Sequence, residues 1–199
     1  MPTEILLQDP PVSLPYRPAR LSVDRYLEMI ASGIIQEDDR IELLEGVLVE
    51  KMTKNPPHTV VTRRCDLLLT QAVPAGWHVR NQEPIILPMS VPEPDLAVVR
   101  GEVTDYAERH PRGIEIGLIV EVADSSVATD RYKSRLYAAA GIPHYWLVDL
   151  SARSLDHYWD PDTKSEQYRQ KRTCSIHETV PLTLDGHAIR EVTLSEILL

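Results

Sequence analysis

The sequence of 199 residues has no phenylalanine, only two cysteines and no long apolar run. The two cysteines, Cys65 and Cys174, are too few for a disulfide scaffold or a four-cysteine zinc site. No apolar stretch approaches the roughly 18 residues of a membrane-spanning helix, so no membrane association is expected. The first residues lack a basic start followed by an apolar core, which predicts no signal peptide and a cytoplasmic location.

Positive charge is also scarce, with 21 Lys and Arg against 30 Asp and Glu and a formal net charge of -9. This balance argues against binding to nucleic acid through a broad basic surface. A small basic patch, or a metal ion that offsets the acidic residues, stays compatible with it. The hydrophobic and charged fractions, 43% and 26%, are typical of an ordinary globular protein.

The pattern along the chain predicts an α/β (α+β) fold, with a central mixed β-sheet flanked by helices. Residues 1–20 are rich in proline and predict an extended N-terminal arm, followed by a single domain over 21–199. Within that domain we expect a core over 40–150 and C-terminal β-strands over 154–194. The predicted elements are a helix at 23–32, a hairpin at 40–52, a helix at 59–72, strands at 78–87, 95–100 and 117–124, a helix at 128–140 and a strand at 144–150.

Glu121 is the most informative single residue, because it lies inside the apolar strand sequence GLIVEVA. An unpaired ionised carboxylate in such a strand costs several kcal/mol. A cation, a metal ion or protonation must therefore offset it. The alternative is a glutamate at the edge of the sheet whose carboxylate reaches water.

Asp95 follows Pro94 and opens the predicted strand DLAVVR. If this strand pairs with 117–124, the carboxylates of Asp95 and Glu121 converge. Two carboxylates with open positions for waters and phosphate oxygens suit Mg²⁺. The sequence therefore predicts a metal site at these two residues.

The helix after the second strand adds a lysine. Asp130, Lys133 and Tyr137 are spaced i, i+3 and i+7, so they share one helix face. A lysine beside two carboxylates can orient a water or stabilise charge in a transition state. The alternative is a solvated face in which Lys133 pairs only with Asp130.

Three ordered segments, EPDLAVV, LIVEVADSS and DRYKSRLYAAAGIPHYWLVDL, resemble the bacterial Uma-type restriction endonuclease family of the PD-(D/E)XK nuclease superfamily. The segments RIELLEGVLVE and NPPH fit the same family, and the resemblance covers roughly residues 20–150. It implies a restriction-endonuclease-like fold and Mg²⁺-dependent hydrolysis of DNA, with Mn²⁺ as a substitute. A homodimer is a further expectation.

The resemblance also implies roles. Asp95 corresponds to the aspartate of the Pro-Asp motif, and Glu121 to the acidic residue of the (D/E)-X-K motif. The lysine position two residues later is Ala123 here, a departure from the basic pattern, so Lys133 becomes the candidate lysine. The spacing from Asp130 to Lys133 is one residue shorter than the commoner pattern.

The resemblance further implies that Glu42, in the hairpin, is an additional acidic ligand of the metal, with Glu45 as the alternative. Candidate contacts to nucleic acid are His58, Lys54, Arg63 and Tyr137. His58 could instead cap its helix, and the basic stretch from Lys51 to Arg64 could be a solvated loop and helix face.

The sequence thus predicts an endonuclease in which Asp95 and Glu121 hold Mg²⁺ and Lys133 orients the attacking water. The acidic composition keeps a second class open, a catalytically inactive nuclease-fold module that binds DNA or another partner. A metal-dependent hydrolase of a small phosphate ester is a third hypothesis, which a deep closed pocket would favour.

Overall fold

The computed structural model describes residues 18–51, 53–124 and 126–198, so most of the predicted arm lies outside the described residues. Three α-helices and ten strands make up the regular structure of these residues. In chain order they are α1 (Val23–Ala31), β1 (Ile41–Leu44), β2 (Val47–Glu50), α2 (Pro56–Ala72), β3 (Trp77–Asn81), β4 (Leu96–Arg100), β5 (Ile116–Ala123), α3 (Val127–Ala139), β6 (His144–Asp149), β7 (Ser154–Asp162), β8 (Gln167–Ser175), β9 (Thr179–Leu184) and β10 (His187–Thr193). Short 3₁₀ helices occupy Glu37–Asp39, Val103–Tyr106, Gly113–Glu115 and Leu194–Glu196.

The central sheet has six strands in the order β3-β4-β5-β6-β7-β8, and it confirms the predicted mixed sheet. Strands β5 and β6 pair in parallel, and the other neighbours in this sheet pair antiparallel. A parallel pair requires a connection that crosses back over the sheet. Helix α3 is that connection, so it lies beside the strand that carries Glu121.

The two faces of the sheet are covered by different elements. On one face, α2 and the β9–β10 hairpin pack against apolar residues of β4 and β5, including Leu96, Val98, Leu118 and Val120. On the other face, Leu136 and Tyr137 of α3 pack with Ile119 and Ala123. Glu121 lies between Ile119 and Ala123 in the strand and therefore points to the α3 face.

Helix α2 begins three residues earlier than the sequence pattern predicts. The Asn55 side chain accepts a hydrogen bond from the backbone N–H of His58, at 3.0 Å, and caps the helix. Pro56 and Pro57 fill the first two helical positions, where a missing N–H has no cost. The prediction that His58 could be the cap is therefore wrong.

The predicted strand 78–87 is shorter in the structure and ends at Asn81. Gln82 adopts a left-handed backbone conformation with φ of 55°, which interrupts the ladder. The chain then turns, and the carbonyl of Asp95 accepts the N–H of Gln82 at 3.1 Å. This turn carries the Gln82 side chain to the start of β4.

The C-terminal strands divide between two sheets. Strands β7 and β8 extend the central sheet, whereas β9 and β10 form a separate two-stranded sheet against it. No helix within the described ranges is both long and apolar enough to cross a bilayer.

Candidate active site

Asp95 and Glu121 meet at the end of the central sheet. The backbone N–H of Asp95 donates to Glu121 Oε2 at 3.2 Å, and the backbone N–H of Val122 donates to Asp95 Oδ2 at 2.9 Å. Both side chains are buried. The antiparallel pairing of β4 with β5 thus brings together the two carboxylates that the sequence singled out.

Asp95 is held by side chains from two further elements. His58 Nε2, on α2, lies 3.0 Å from Asp95 Oδ2, and Gln82 Nε2 donates to Asp95 Oδ1 at 3.1 Å. Burial alone raises the pKa of Asp95, but the bonds from His58, Val122 N–H and Gln82 outweigh it. The pKa of Asp95 is therefore below its usual value, and this carboxylate is ionised at neutral pH.

Lys133 lies inside the site and is only 7% exposed. Its Nζ is 3.2 Å from Glu121 Oε1, 3.3 Å from Glu42 Oε1 and 3.7 Å from Asp130 Oδ1. We call these four residues the ammonium cluster. Burial alone lowers the pKa of Lys133, but the three carboxylates raise it well above its usual value. The interpretation of Lys133 as part of a solvated helix face is wrong.

One ammonium cannot neutralise three buried carboxylates. Burial raises the pKa of Glu121 to about 8, and Asp130 and Asp95 add to the effect against the opposing influence of Lys133. Burial also raises the pKa of Asp130, whose carboxylate accepts a hydrogen bond from Ser126 at 2.5 Å. The excess of negative charge is the feature that a bound cation would relieve.

The hairpin supplies Glu42 to this site and directs Glu45 elsewhere. Glu42 is buried, and besides its contact with Lys133 it accepts the backbone N–H of Glu93 at 3.2 Å. Glu45 lies at the hairpin turn, where its carboxylate accepts a hydrogen bond from Tyr132. Of the two predicted alternatives, Glu42 is the one beside Glu121.

These residues line a partly open cavity of about 370 Å³, which we call the acidic pocket. Three lysines contribute to its wall, namely Lys51, Lys54 and Lys133. They are outnumbered by seven acidic residues, Glu42, Glu50, Glu93, Asp95, Glu121, Asp124 and Asp130. The net negative charge of this lining suits a cation.

The donor chemistry of the pocket fits Mg²⁺. This ion is commonly bound by one or two carboxylates and completes its shell with waters and substrate phosphates. Asp95 and Glu121 provide two such carboxylates side by side. In the described part of the chain no group of three or more His, Cys, Asp or Glu forms a complete metal site, so the pair would need those additional oxygens.

The basic stretch from Lys51 to Arg64 adds little positive charge to the acidic pocket. Lys51 pairs with Glu93 at 2.5 Å, and the exposed Arg63 pairs with Asp66 at 2.5 Å and lies outside the pocket. Arg64 donates to the backbone carbonyls of Ser195, Glu196 and Leu198. Lys54 lines the pocket without a salt bridge among the described residues, and burial lowers its pKa.

One of the predicted DNA contacts is wrong, and another has protein partners at its ring. Tyr137 is completely buried, and its hydroxyl donates to Glu121 Oε1 at 2.7 Å, so it presents no surface to DNA. His58 lines the pocket, but its ring lies against Asp95 at Nε2 and against Thr62 at Nδ1, the latter at 3.4 Å.

Gln82 is the site residue that sequence reasoning missed. It follows β3 in a segment that the pattern assigned to a continuous strand, and no motif marks it. A second omission is the hydrogen bond from the side chain of Asn55 to that of Asp124, which both line the pocket. The only signal for it was the pattern of a helix-capping asparagine in the NPPH segment.

Comparisons with known proteins agree with this architecture. The crystal structure of a putative nuclease belonging to DUF820 from Anabaena variabilis ATCC 29413 has the same fold, with a TM-score of 0.71. The two sequences are 14% identical over 89% of this chain and 97% of that one, so the likeness concerns the fold. No curated protein matches the chain. The family model Uma2, described as "Putative restriction endonuclease", matches residues 23–191, and the chain therefore belongs to the Uma2 family.

Proposed function

We propose that this protein is a Mg²⁺-dependent nuclease that hydrolyses phosphodiester bonds of DNA. The observation that carries the proposal is the convergence of Asp95, Glu121 and Lys133 on one cavity at the end of the central sheet. Membership of a family described as restriction endonucleases supports the same activity. Asp95 and Glu121 would hold the ion, with Glu42 as an additional acidic residue and Mn²⁺ as a substitute.

A bound Mg²⁺ would offset the negative charge of the scissile phosphate and lower the pKa of a bound water molecule. Asp95 could hold the ion without first losing a proton, because its hydrogen bonds keep it ionised. Glu121 would lose its proton when the cation binds, since the cation offsets the charge that now raises its pKa.

Lys133 would orient the attacking water and stabilise negative charge in the transition state. Its ammonium stands beside Glu121 Oε1, and the carboxylates of Glu42 and Asp130 restrict where it can point. A donor held in this way needs little reorganisation during the reaction. Tyr137 supports the arrangement from beneath by bonding to the same oxygen of Glu121.

On the substrate side, Lys54 is the cation best placed to contact a phosphate of DNA, because it lines the pocket and has no acidic partner within salt-bridge distance in the described chain. Arg63 lies farther along α2 and would contact only a substrate that extends beyond the pocket. Binding through so few cations should be weak at physiological salt.

The test is cleavage of supercoiled plasmid and short duplexes by purified protein with Mg²⁺, Mn²⁺ or EDTA. We expect cleavage with either metal and none with EDTA. Asp95→Asn and Glu121→Gln should abolish it while the far-ultraviolet spectrum stays unchanged. Glu50→Gln, an exposed change at the rim of the same pocket, is the matched control and should cleave like the wild type.

A wild-type protein that binds DNA but cleaves nothing with either metal would favour the inactive nuclease-fold module instead. Cleavage of a small phosphodiester such as bis-p-nitrophenyl phosphate, without cleavage of DNA, would favour the third hypothesis. The half-open form of the pocket fits a chain segment better than an enclosed small molecule.

A further inference from the structure

We propose that His58 is a positioning residue that fixes the carboxylate of Asp95 for metal binding, rather than a contact to DNA. The inference rests on the proposed function, because it assumes that Asp95 is a metal ligand. It assigns to His58 a role that neither its sequence position nor the family description indicates. Its basis is the set of hydrogen bonds around the two oxygens of Asp95.

The direction of the His58 bond follows from elementary chemistry. An ionised carboxylate only accepts hydrogen bonds, so His58 Nε2, at 3.0 Å from Asp95 Oδ2, carries the hydrogen. The other ring nitrogen faces the hydroxyl of Thr62, one helical turn farther along α2, at 3.4 Å. Both ring nitrogens thus have a protein partner.

The His58 ring is itself held in place. Its backbone N–H donates to the capping side chain of Asn55, and the ring is largely buried between α2 and the start of β4. The first turn of a capped helix is a rigid support. A donor on such a support restricts the carboxylate far more than a donor on a mobile loop does.

The arrangement restricts Asp95 and still leaves it free to bind a cation. A carboxylate has about four acceptor positions. The N–H groups of His58 and Val122 use Oδ2, and Gln82 uses one position on Oδ1. One position, on Oδ1, stays open. Three donors from three elements therefore orient the group, as the partners of metal ligands in other proteins do.

Two other roles for His58 predict different results, which makes the proposal testable. If His58 contacted DNA, its loss would weaken DNA binding and leave metal affinity unchanged. If it only competed with the metal for Asp95, its loss would strengthen metal binding. A positioning role predicts weaker metal binding with unchanged DNA affinity in the absence of metal.

The experiment is calorimetric titration of the full chain with Mn²⁺ and Mg²⁺, without DNA, for wild type and three variants. His58→Asn, whose amide is too short to reach Asp95, should weaken metal affinity roughly 10- to 100-fold. His58→Gln has the same amide on a longer arm and should recover most of the affinity. His78→Gln is the matched control, because His78 also bonds through its ring, to the carbonyl of Gly101 at 2.8 Å, but does not line the acidic pocket.

The outcomes separate the two proposals. A wild-type protein that binds neither metal contradicts the proposed function. Normal wild-type binding, with His58→Asn unchanged or tighter, overturns the positioning role alone. Equal losses in His58→Asn and His78→Gln would show general destabilisation and would also overturn it. DNA binding measured in EDTA by fluorescence anisotropy should be the same for all four proteins.

Discussion

The two sides of the acidic pocket accommodate a buried carboxylate in different ways. On one side, Asp95 is surrounded by hydrogen-bond donors that keep its charge. On the other side, Glu121 shares one ammonium with Glu42 and Asp130, and its pKa rises to about 8. The two carboxylates are neighbours and each accepts three hydrogen bonds, yet only the pKa of Asp95 is held below its usual value.

The difference shows how a site can be preformed on one side and hold unneutralised negative charge on the other. Directed hydrogen bonds fix Asp95 before any ligand arrives. The ammonium cluster instead holds more negative charge than Lys133 can neutralise. In the proposed function, the first side would provide the geometry and the second would provide the driving force for binding a divalent ion.

The largest effect should come from removing the cation of the ammonium cluster. Lys133→Met keeps most of the side-chain volume but leaves three buried carboxylates without their partner. We expect a loss of about 3–5 kcal/mol in the free energy of unfolding. Any cleavage should fall roughly 100-fold or more. Metal affinity should hold or increase, because the competing ammonium is gone. Urea denaturation and calorimetry measure these effects.

Arg135→Met is the control for that change, because Arg135 is on the same helix but is 46% exposed and pairs with Glu166 at the surface. It should change stability by less than about 0.5 kcal/mol. Equal losses in the two variants would mean that Lys133 contributes no more than a surface charge, and the contrast between the two sides would disappear.

The next effect concerns pH in the absence of metal. Because the folded protein holds the Glu121 proton more tightly than the unfolded chain does, this group stabilises the fold fully below its usual pKa of 4.5. That stability is lost as pH rises toward about 8. Glu121→Gln should remove this decline, as measured by urea denaturation at pH 5, 6.5 and 8.

Asp95 should give the opposite trend. Its folded pKa is below the usual 3.8, so its contribution is present above that pH and is lost as pH falls further. Asp95→Asn should therefore change the acid limb of the stability profile. It should only shift the limb from pH 5 to 8 to lower pH, because the charge of Asp95 contributes to the raised pKa of Glu121. If Asp95→Asn abolishes the limb from pH 5 to 8 as Glu121→Gln does, the two carboxylates are not electrostatically different.

A smaller effect on stability is expected from removing the Tyr137 hydroxyl, which bonds to Glu121. Tyr137→Phe removes the bond to Glu121 Oε1 and should cost about 1–3 kcal/mol, the usual cost of removing one partner of a buried hydrogen bond. It should also raise the pKa of Glu121 further, since that bond lowers it. Tyr26→Phe, which removes a buried bond to the carbonyl of Ile41 at 3.0 Å, should cost stability without moving the pH profile.

The smallest effect on stability should come at the mouth of the pocket. Lys54→Ala should change the free energy of unfolding by less than about 0.5 kcal/mol. It should weaken DNA binding and reduce the slope of log affinity against log salt by about 1. Arg63→Ala is the comparison, because Arg63 is exposed and paired with Asp66. An equal change of slope in both would place the DNA path along α2 rather than over the pocket.

The sequence was informative where a charged residue stands among apolar neighbours. A carboxylate inside an apolar strand required a partner, and the structure supplies one in Lys133. The helix periodicity placed Lys133 and Tyr137 on one face, and both reach Glu121. Strong apolar patterns likewise predicted β4, β5 and α3 to within about one residue.

The donors around Asp95 could not be predicted in this way. His58 and Asp95 are 37 residues apart, and their contact depends on how α2 meets the end of the sheet. Gln82 reaches Asp95 only because its own backbone turns to a positive φ, which no local preference of glutamine indicates. Hydrogen bonds between distant segments leave no periodic signal in a single sequence.

The crossover helix α3 brings to the site a side chain that strand β5 does not supply. Because β5 and β6 are parallel, their connection must return across the sheet, and its inner face passes over the strand that carries Glu121. Lys133 on that face reaches Glu121 at 3.2 Å, while position 123 of the strand is a small, buried alanine. In the proposed function, the crossover helix would therefore supply from outside the strand the cation that the strand itself lacks.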